Sequence, residues 1–178
     1  EAAEKGDIQQ LKQLLEDKPS DVNLVAEDFE DKRTPLMGAA LSGQLEAVKM
    51  LIAHKAAVDT ADKLGRHALH FACLKGFAEI AKFLLDSGAE IDHGDHDGET
   101  ALLIAVRENK PTCVKLLLAR KANTAMKATR DYVQPRTALD IAKLSSFEDI
   151  AALLASSAIP TGIERGDAKQ EQVTGNFY

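Results

Sequence analysis

The chain repeats itself, and that constrains its fold more than any other feature. Thr34-Pro35-Leu36-Met37-Gly38-Ala39-Ala40 aligns with His67-Ala68-Leu69-His70-Phe71-Ala72-Cys73. Thr100-Ala101-Leu102-Leu103-Ile104-Ala105-Val106 and Thr137-Ala138-Leu139-Asp140-Ile141-Ala142-Lys143 follow, at steps of 33, 33 and 37 residues. A second block trails each copy: Ala47-Val48-Lys49-Met50-Leu51-Ile52, Ile80-Ala81-Lys82-Phe83-Leu84-Leu85, Cys113-Val114-Lys115-Leu116-Leu117-Leu118 and Ile150-Ala151-Ala152-Leu153-Leu154-Ala155. Units this short cannot bury an apolar face alone, so they must stack on one another.

Each unit reads as two short helices joined by a tight turn. The first is small and apolar, with Ala39-Ala40 or Ala72 where a neighbouring unit comes close. The second carries an apolar stripe at helical spacing, as in Leu45, Val48, Leu51 and Ile52. Gly43 and Gly76 fall between the two, where a left-handed residue ends the first helix. Asn109 takes that place one unit later, Asn being the next-best residue for the conformation. Gly88-Ala89-Glu90-Ile91-Asp92 then stops the second helix, and Asp62-Lys63-Leu64-Gly65 and Asp95-His96-Asp97-Gly98 supply turn chemistry.

A unit of 33 residues with a β-turn, two helices and the Thr34-Pro35-Leu36 opening resembles the ankyrin repeat. The resemblance runs from Glu1 to about Ser157 in five units, the first partial, with Gly6-Asp7-Ile8 and Leu11, Leu14 and Leu15 matching only its later half. Thr gives way to His67 in the third unit, and Pro to Ala68, Ala101 and Ala138. The fold it implies is all-α: a solenoid of stacked helix-turn-helix units with β-hairpin-like connections. The expected division is a repeat domain over 1–157, in units near 1–28, 29–61, 62–94, 95–127 and 128–157, and a tail over 158–178. Polar outer faces on the end units, with Glu1, Glu4, Lys5 and Gln9 at one end and Ser145, Ser146, Glu148 and Asp149 at the other, suit such an array.

Two connections run long. About four extra residues lie around Leu24 to Phe29, and a second excess lies within Met126 to Arg136, bringing Arg130 and Tyr132 to an aromatic-poor surface. Loops inserted at exposed tips often carry function, though a neutral insertion has the same signature. Ile159, Ile163, Val173 and Phe177 in the tail are expected to pack on the last repeat or on a neighbouring molecule.

Charge and composition remove several function classes. Lys and Arg number 22 against 28 Asp and Glu, and a net charge of −6 argues against tracking nucleic-acid phosphates. No apolar stretch approaches the ~18–20 residues that cross a bilayer, and Glu1 to Asp7 hold nothing like an apolar signal region. Two cysteines build no disulfide framework, which points to a reducing intracellular compartment, cytoplasm or nucleus. The chain opens on Glu1 rather than Met, as a trimmed fragment would.

Catalytic and metal chemistry find little purchase. Asp92 to Glu99 looks like part of a calcium loop, but in that register the first ligand is His93 and the twelfth Ile104. His93 with His96 would make a zinc pair only on an exposed hairpin. His67, His70 and Cys73 share a helix face with no fourth ligand nearby in sequence. In the resemblance His70 bonds the backbone of the adjacent repeat. Cys73 and Cys113 read as core thiols. No phosphate loop, nucleophile elbow or carboxylate pair occurs, so no cofactor, no metal and no enzymatic activity are expected.

A binding surface is left. The resemblance implies one concave groove, lined by hairpin tips and by the exposed sides of the first helices. Carried over position by position, the tips contribute Arg33, Leu64, Arg66, Asp97, Glu99, Tyr132 and Arg136, and the helices Leu41, Leu74, Lys75 and Arg107. Leu41 and Leu74 are expected to form an apolar strip, unless they pack on each other. Tip charge alternates from −2 over 27–33 to +1 over 62–66, −4 over 92–99 and +2 over 127–136. The expected ligand is therefore a protein segment with basic and apolar residues. The other readings are a targeting part of a larger enzyme or channel, self-association through the tail, and hydroxylation by an oxygenase at Asn23, Asp59 or Asp92.

Overall fold

The computed structural model describes residues 1–18, 22–24, 32–129 and 134–157. Among these, ten helices follow in pairs: α1 Ala2–Lys5 with α2 Ile8–Asp17, α3 Pro35–Ser42 with α4 Leu45–Ala53, α5 Ala68–Lys75 with α6 Ala78–Asp86, α7 Ala101–Arg107 with α8 Pro111–Ala119, and α9 Ala138–Leu144 with α10 Glu148–Ser157. The only strand-like pairing among them is two isolated antiparallel bridges, Gly94 with Thr100 and Ala128 with Arg136. The all-α solenoid expected from the repeats is what forms. The first helix of the partial unit is present but only four residues long.

Local chemistry starts the first helices of the second to fifth units at the same place, whereas α1 has no side-chain cap. Thr34, Thr100 and Thr137 each accept a hydrogen bond on Oγ1 from the backbone N–H three residues on, at Met37, Leu103 and Asp140, all at 3.3 Å. In the third unit the His67 N–H instead donates to His70 Nδ1 at 3.0 Å. The helix ends are equally regular. Gly6, Gly43 and Gly76 are left-handed, and Asn109 (φ 51°) and Ser146 (φ 57°) hold the same conformation in the later units.

Stacking then buries what each unit leaves open. First helices pack on first helices and second on second. Ala39, Ala40, Ala72, Ala105 and Ala142 are fully buried where the first helices meet, because a larger side chain would hold those backbones apart. The second helices bury Val48, Leu51, Ala81, Leu84, Val114 and Leu117 completely. Each buried Leu or Val contributes about 1.5–3 kcal/mol, realised only when the neighbouring unit is in place.

Side chains also rivet successive units. Asn23 Oδ1 accepts from Ala57 N at 2.9 Å, Asp59 Oδ1 from Glu90 N at 3.2 Å, and Asp92 Oδ1 from Asn123 N at 2.8 Å. Backbone bonds link the tips, from His96 N to the Leu64 carbonyl at 2.9 Å and from Thr129 N to the Asp97 carbonyl at 2.8 Å. The second long connection therefore emerges from a tip tied to its predecessor. Residues 25–31, Tyr132 and the apolar residues expected to anchor the tail lie outside the described residues.

Candidate functional site

The hairpin tips are held by aspartates one repeat apart, Asp62 buried and Asp95 half-buried. Asp62, whose side chain is wholly buried, accepts from the Leu64 and Arg66 backbone N–H groups at 2.9 and 2.8 Å. Its second oxygen takes Nε and Nη2 of Arg66 at 2.9 and 2.7 Å. Asp95 repeats the backbone half, accepting from Asp97 N at 3.0 Å and Glu99 N at 2.9 Å. Arg66 is thereby fixed with its guanidinium carbon 4.8 Å from the centre of the buried Phe71 ring, and Arg33 approaches the same ring at 5.2 Å.

Glu99 stands where the neighbouring units carry Arg33, Arg66 and Arg136. An exposed tip residue was expected there, but its side chain is only 3% exposed and pairs with the Arg107 guanidinium. A carboxylate in so dry a place needs a cation beside it, and Arg107 on the first helix of the same unit supplies one. Glu99 therefore orients Arg107, which also reaches Glu108 at 3.2 Å, rather than presenting a surface of its own.

Two depressions flank this pair. One, of about 260 Å³, lies between the third and fourth tips and gathers Leu64, Arg66, Phe71 and Leu74 against Asp95, Asp97, Glu99, Arg107 and Glu108. The other, of about 330 Å³, joins Glu99 and Arg107 to Arg136, Ile141, Leu144 and Ser145. Of the residues expected to line a groove, Leu64, Arg66, Leu74, Asp97, Glu99, Arg107 and Arg136 are thus brought together. Arg33 lies apart, in a depression with Glu4, Leu24 and Pro35. Lys75 is exposed at the end of α5 and lines neither. Leu41 and Leu74 are half-buried against the core, and the exposed apolar residues of these two depressions are instead Leu64 (51%) and Leu144 (63%).

Asp62, Asp95 and Phe71 were absent from the expected site, although the period that aligns Arg33 with Arg66 points to Phe71 beneath them. A further grouping has no signature in the period. His67 and His93 stack with ring centres 3.7 Å apart, and His70 meets both edge-on. His70 accepts on Nδ1 from His67 N and donates from Nε2 to the His93 carbonyl at 3.1 Å, so its bonds are to backbone as expected but stay within residues 62–94 rather than reaching the adjacent repeat. Burial, then the neighbouring His67, lowers its pKa to about 4, so it is neutral near pH 7. Burial also lowers that of His67, with His93 adding to the effect. Cys73 and Cys113 are both buried free thiols. The hydrogen bond with Cys113, then burial, raises the Cys73 thiol well above its ordinary range, which disfavours the nucleophilic thiolate.

Among the described residues no helix is long and apolar enough to cross a membrane. A search of curated proteins gives no match. The family model described as ankyrin repeats (3 copies) matches residues 1–95 and 88–164. With its left-handed helix ends and riveted tips, the chain belongs to the ankyrin-repeat family.

Proposed function

We infer that this chain, with 1–157 as its repeat domain, binds a segment of another protein across the tips of its third to fifth units and has no catalysis of its own. Ankyrin repeats are generally protein–protein interaction modules and typically non-catalytic. The observation that carries the finer reading is the depression between the third and fourth tips. Its lining sets apolar Leu64 and Leu74 beside the carboxylates of Asp95, Asp97 and Glu108, and its two guanidiniums are already paired, Arg66 with Asp62 and Arg107 with Glu99. A side chain entering it meets a hydrophobic surface for its stem and carboxylates for its head. Lys and Arg have that build. The complementary segment therefore carries a basic residue beside an apolar one, and charge sets its association rate and register more than its affinity.

Displayed random peptides selected on the folded chain test this reading. Enriched sequences should pair Lys or Arg with an aliphatic or aromatic residue. Leu64→Glu and Asp97→Lys, both at exposed positions, should each cut binding about tenfold or more, a loss of roughly 1.4 kcal/mol. Glu79→Lys on the second-helix side should leave it unchanged. Acidic peptides, or loss only through Glu79→Lys, would reject the groove.

A further inference from the structure

We propose that His67, Glu90 and His93 form a binding site for one divalent transition-metal ion of the zinc type. The proposal is independent of the peptide-binding reading. One ligand atom from each of the three residues lies within 4.8 Å of the others. The His67 side chain is 5% exposed, and its buried Nδ1 finds no hydrogen-bond partner among the described residues. An imidazole nitrogen is rarely left in that state without cause.

The hydrogen bonds around His93 prepare its other nitrogen. His93 Nε2 lies 3.1 Å from the Gly65 carbonyl, which only accepts, so Nε2 carries the hydrogen. In the neutral ring Nδ1 then bears a lone pair, and it faces Glu90 Oε2 at 3.4 Å. A lone pair opposite a carboxylate is repulsive until a cation sits between them. A ring N–H donated to a backbone carbonyl is also the usual outer support of a metal-bound histidine. Asp59 Oδ1, 3.4 Å from His67 Nδ1, adds negative charge and accepts from the Glu90 N–H, steadying the backbone that carries the carboxylate.

Two imidazoles and one carboxylate select a zinc-like ion over calcium or magnesium, which prefer all-oxygen shells. Tetrahedral bonds of about 2.0–2.1 Å place ligand atoms roughly 3.3 Å apart. The stacked rings must therefore tilt and the ligands close by roughly 1.5 Å at most. Glu90 and His93 have room for this, with side chains 68% and 31% exposed. Water completes the shell. The ion would tie the start of α5 to the connection after α6, and so to the hairpin bearing Asp97 and Glu99.

Titrating the tag-free full chain with ZnCl2 by calorimetry tests this, with Co2+ absorption reporting coordination geometry. One ion per chain is expected, with intense tetrahedral cobalt bands and a raised Tm. Glu90→Gln and His93→Gln should each weaken binding about tenfold or more. Both positions are accessible enough for the variants to fold, which circular dichroism in EDTA checks. His54→Gln, at an exposed histidine elsewhere, should bind as the parent does. Failure to saturate at one ion, binding untouched in both ligand variants, or equal loss in His54→Gln would each overturn the site.

Discussion

Replacing Gly43 and Gly76, the two glycines that end α3 and α5, separates backbone strain from crowding. Both are left-handed, at φ 77° and 86°, where a residue with a Cβ costs about 1–2 kcal/mol. Their surroundings differ. A Cβ on Gly76 would meet Lys110 Cδ at 2.8 Å, the stem of a flexible side chain that can move aside. A Cβ on Gly43 would meet Cζ, Cε1 and Cε2 of the Phe77 ring at 2.7, 2.9 and 3.0 Å, and a rigid ring must shift as a whole. Crowding of that kind adds about 1–3 kcal/mol. Gly76→Ala should therefore cost about 1–2 kcal/mol and Gly43→Ala about 2–4 kcal/mol. Gly76→Val should cost more than Gly76→Ala, since a branched Cβ resists positive φ, whereas Gly76→Asn should cost least, as Asn109 holds that conformation in the next unit. Urea unfolding followed by circular dichroism reads these as shifts in midpoint at constant slope. Phe77→Ala should remove the extra penalty at Gly43 and leave Gly76 unaffected, a coupling visible in a double-mutant cycle. Equal costs at the two glycines, or no coupling to Phe77, would refute the reasoning.

The His70 environment makes stability fall in mild acid. Its pKa is about 4 folded and about 6.5 unfolded, so the unfolded chain binds more protons between those values. That contribution is complete above pH 6.5 and fades by roughly 3 kcal/mol as pH drops toward 4. His70→Gln should flatten most of the slope in urea titrations at pH 7 and 4.5 in EDTA, and an unchanged slope would assign the effect elsewhere. Arg107→Leu should destabilise by about 1–3 kcal/mol, because it strips a charged partner from the buried Glu99. Adding Glu99→Gln should recover part of that loss, and a purely additive double variant would dissolve the pair.

What the sequence disclosed was whatever recurs at one position in successive units. Gly43, Gly76 and Asn109 were placed correctly because one backbone requirement returns with the period. Seven tip and helix positions proved to share two adjoining depressions for the same reason. Depth was not legible. Glu99 occupies a tip position, yet the guanidinium eight residues on draws its carboxylate inward. Leu41 and Leu74 look surface-facing by register but lean on the core. The cluster of His67, Glu90 and His93 escaped notice because its members occupy different positions of the repeat. They meet only where the chain leaving α6 returns over the start of α5.

On the proposed reading, the same construction gives a bound segment a direction. Asp62 and Asp95 fix the two tips from within, and backbone bonds from His96 N to Leu64 and from Thr129 N to Asp97 chain the tips together. A ligand meets walls already in place, so most of the ordering cost falls on its own chain. The depression between the third and fourth tips presents Asp95, Asp97 and Glu108 beside the paired Arg66 and Arg107, and the next one shares Arg107 and adds Arg136 beside Leu144. Glu99 lies between the two, occupied with Arg107. A segment laid one way puts its basic residue against carboxylates and an acidic or apolar residue near Arg136 and Leu144. Laid the other way, its basic residue faces Arg136, and an acidic partner residue faces the carboxylates. Reversing the charge order of a bound peptide should therefore weaken it more than scrambling its apolar residues does. The gap should close at high salt, where the discriminating interactions between exposed charges are screened.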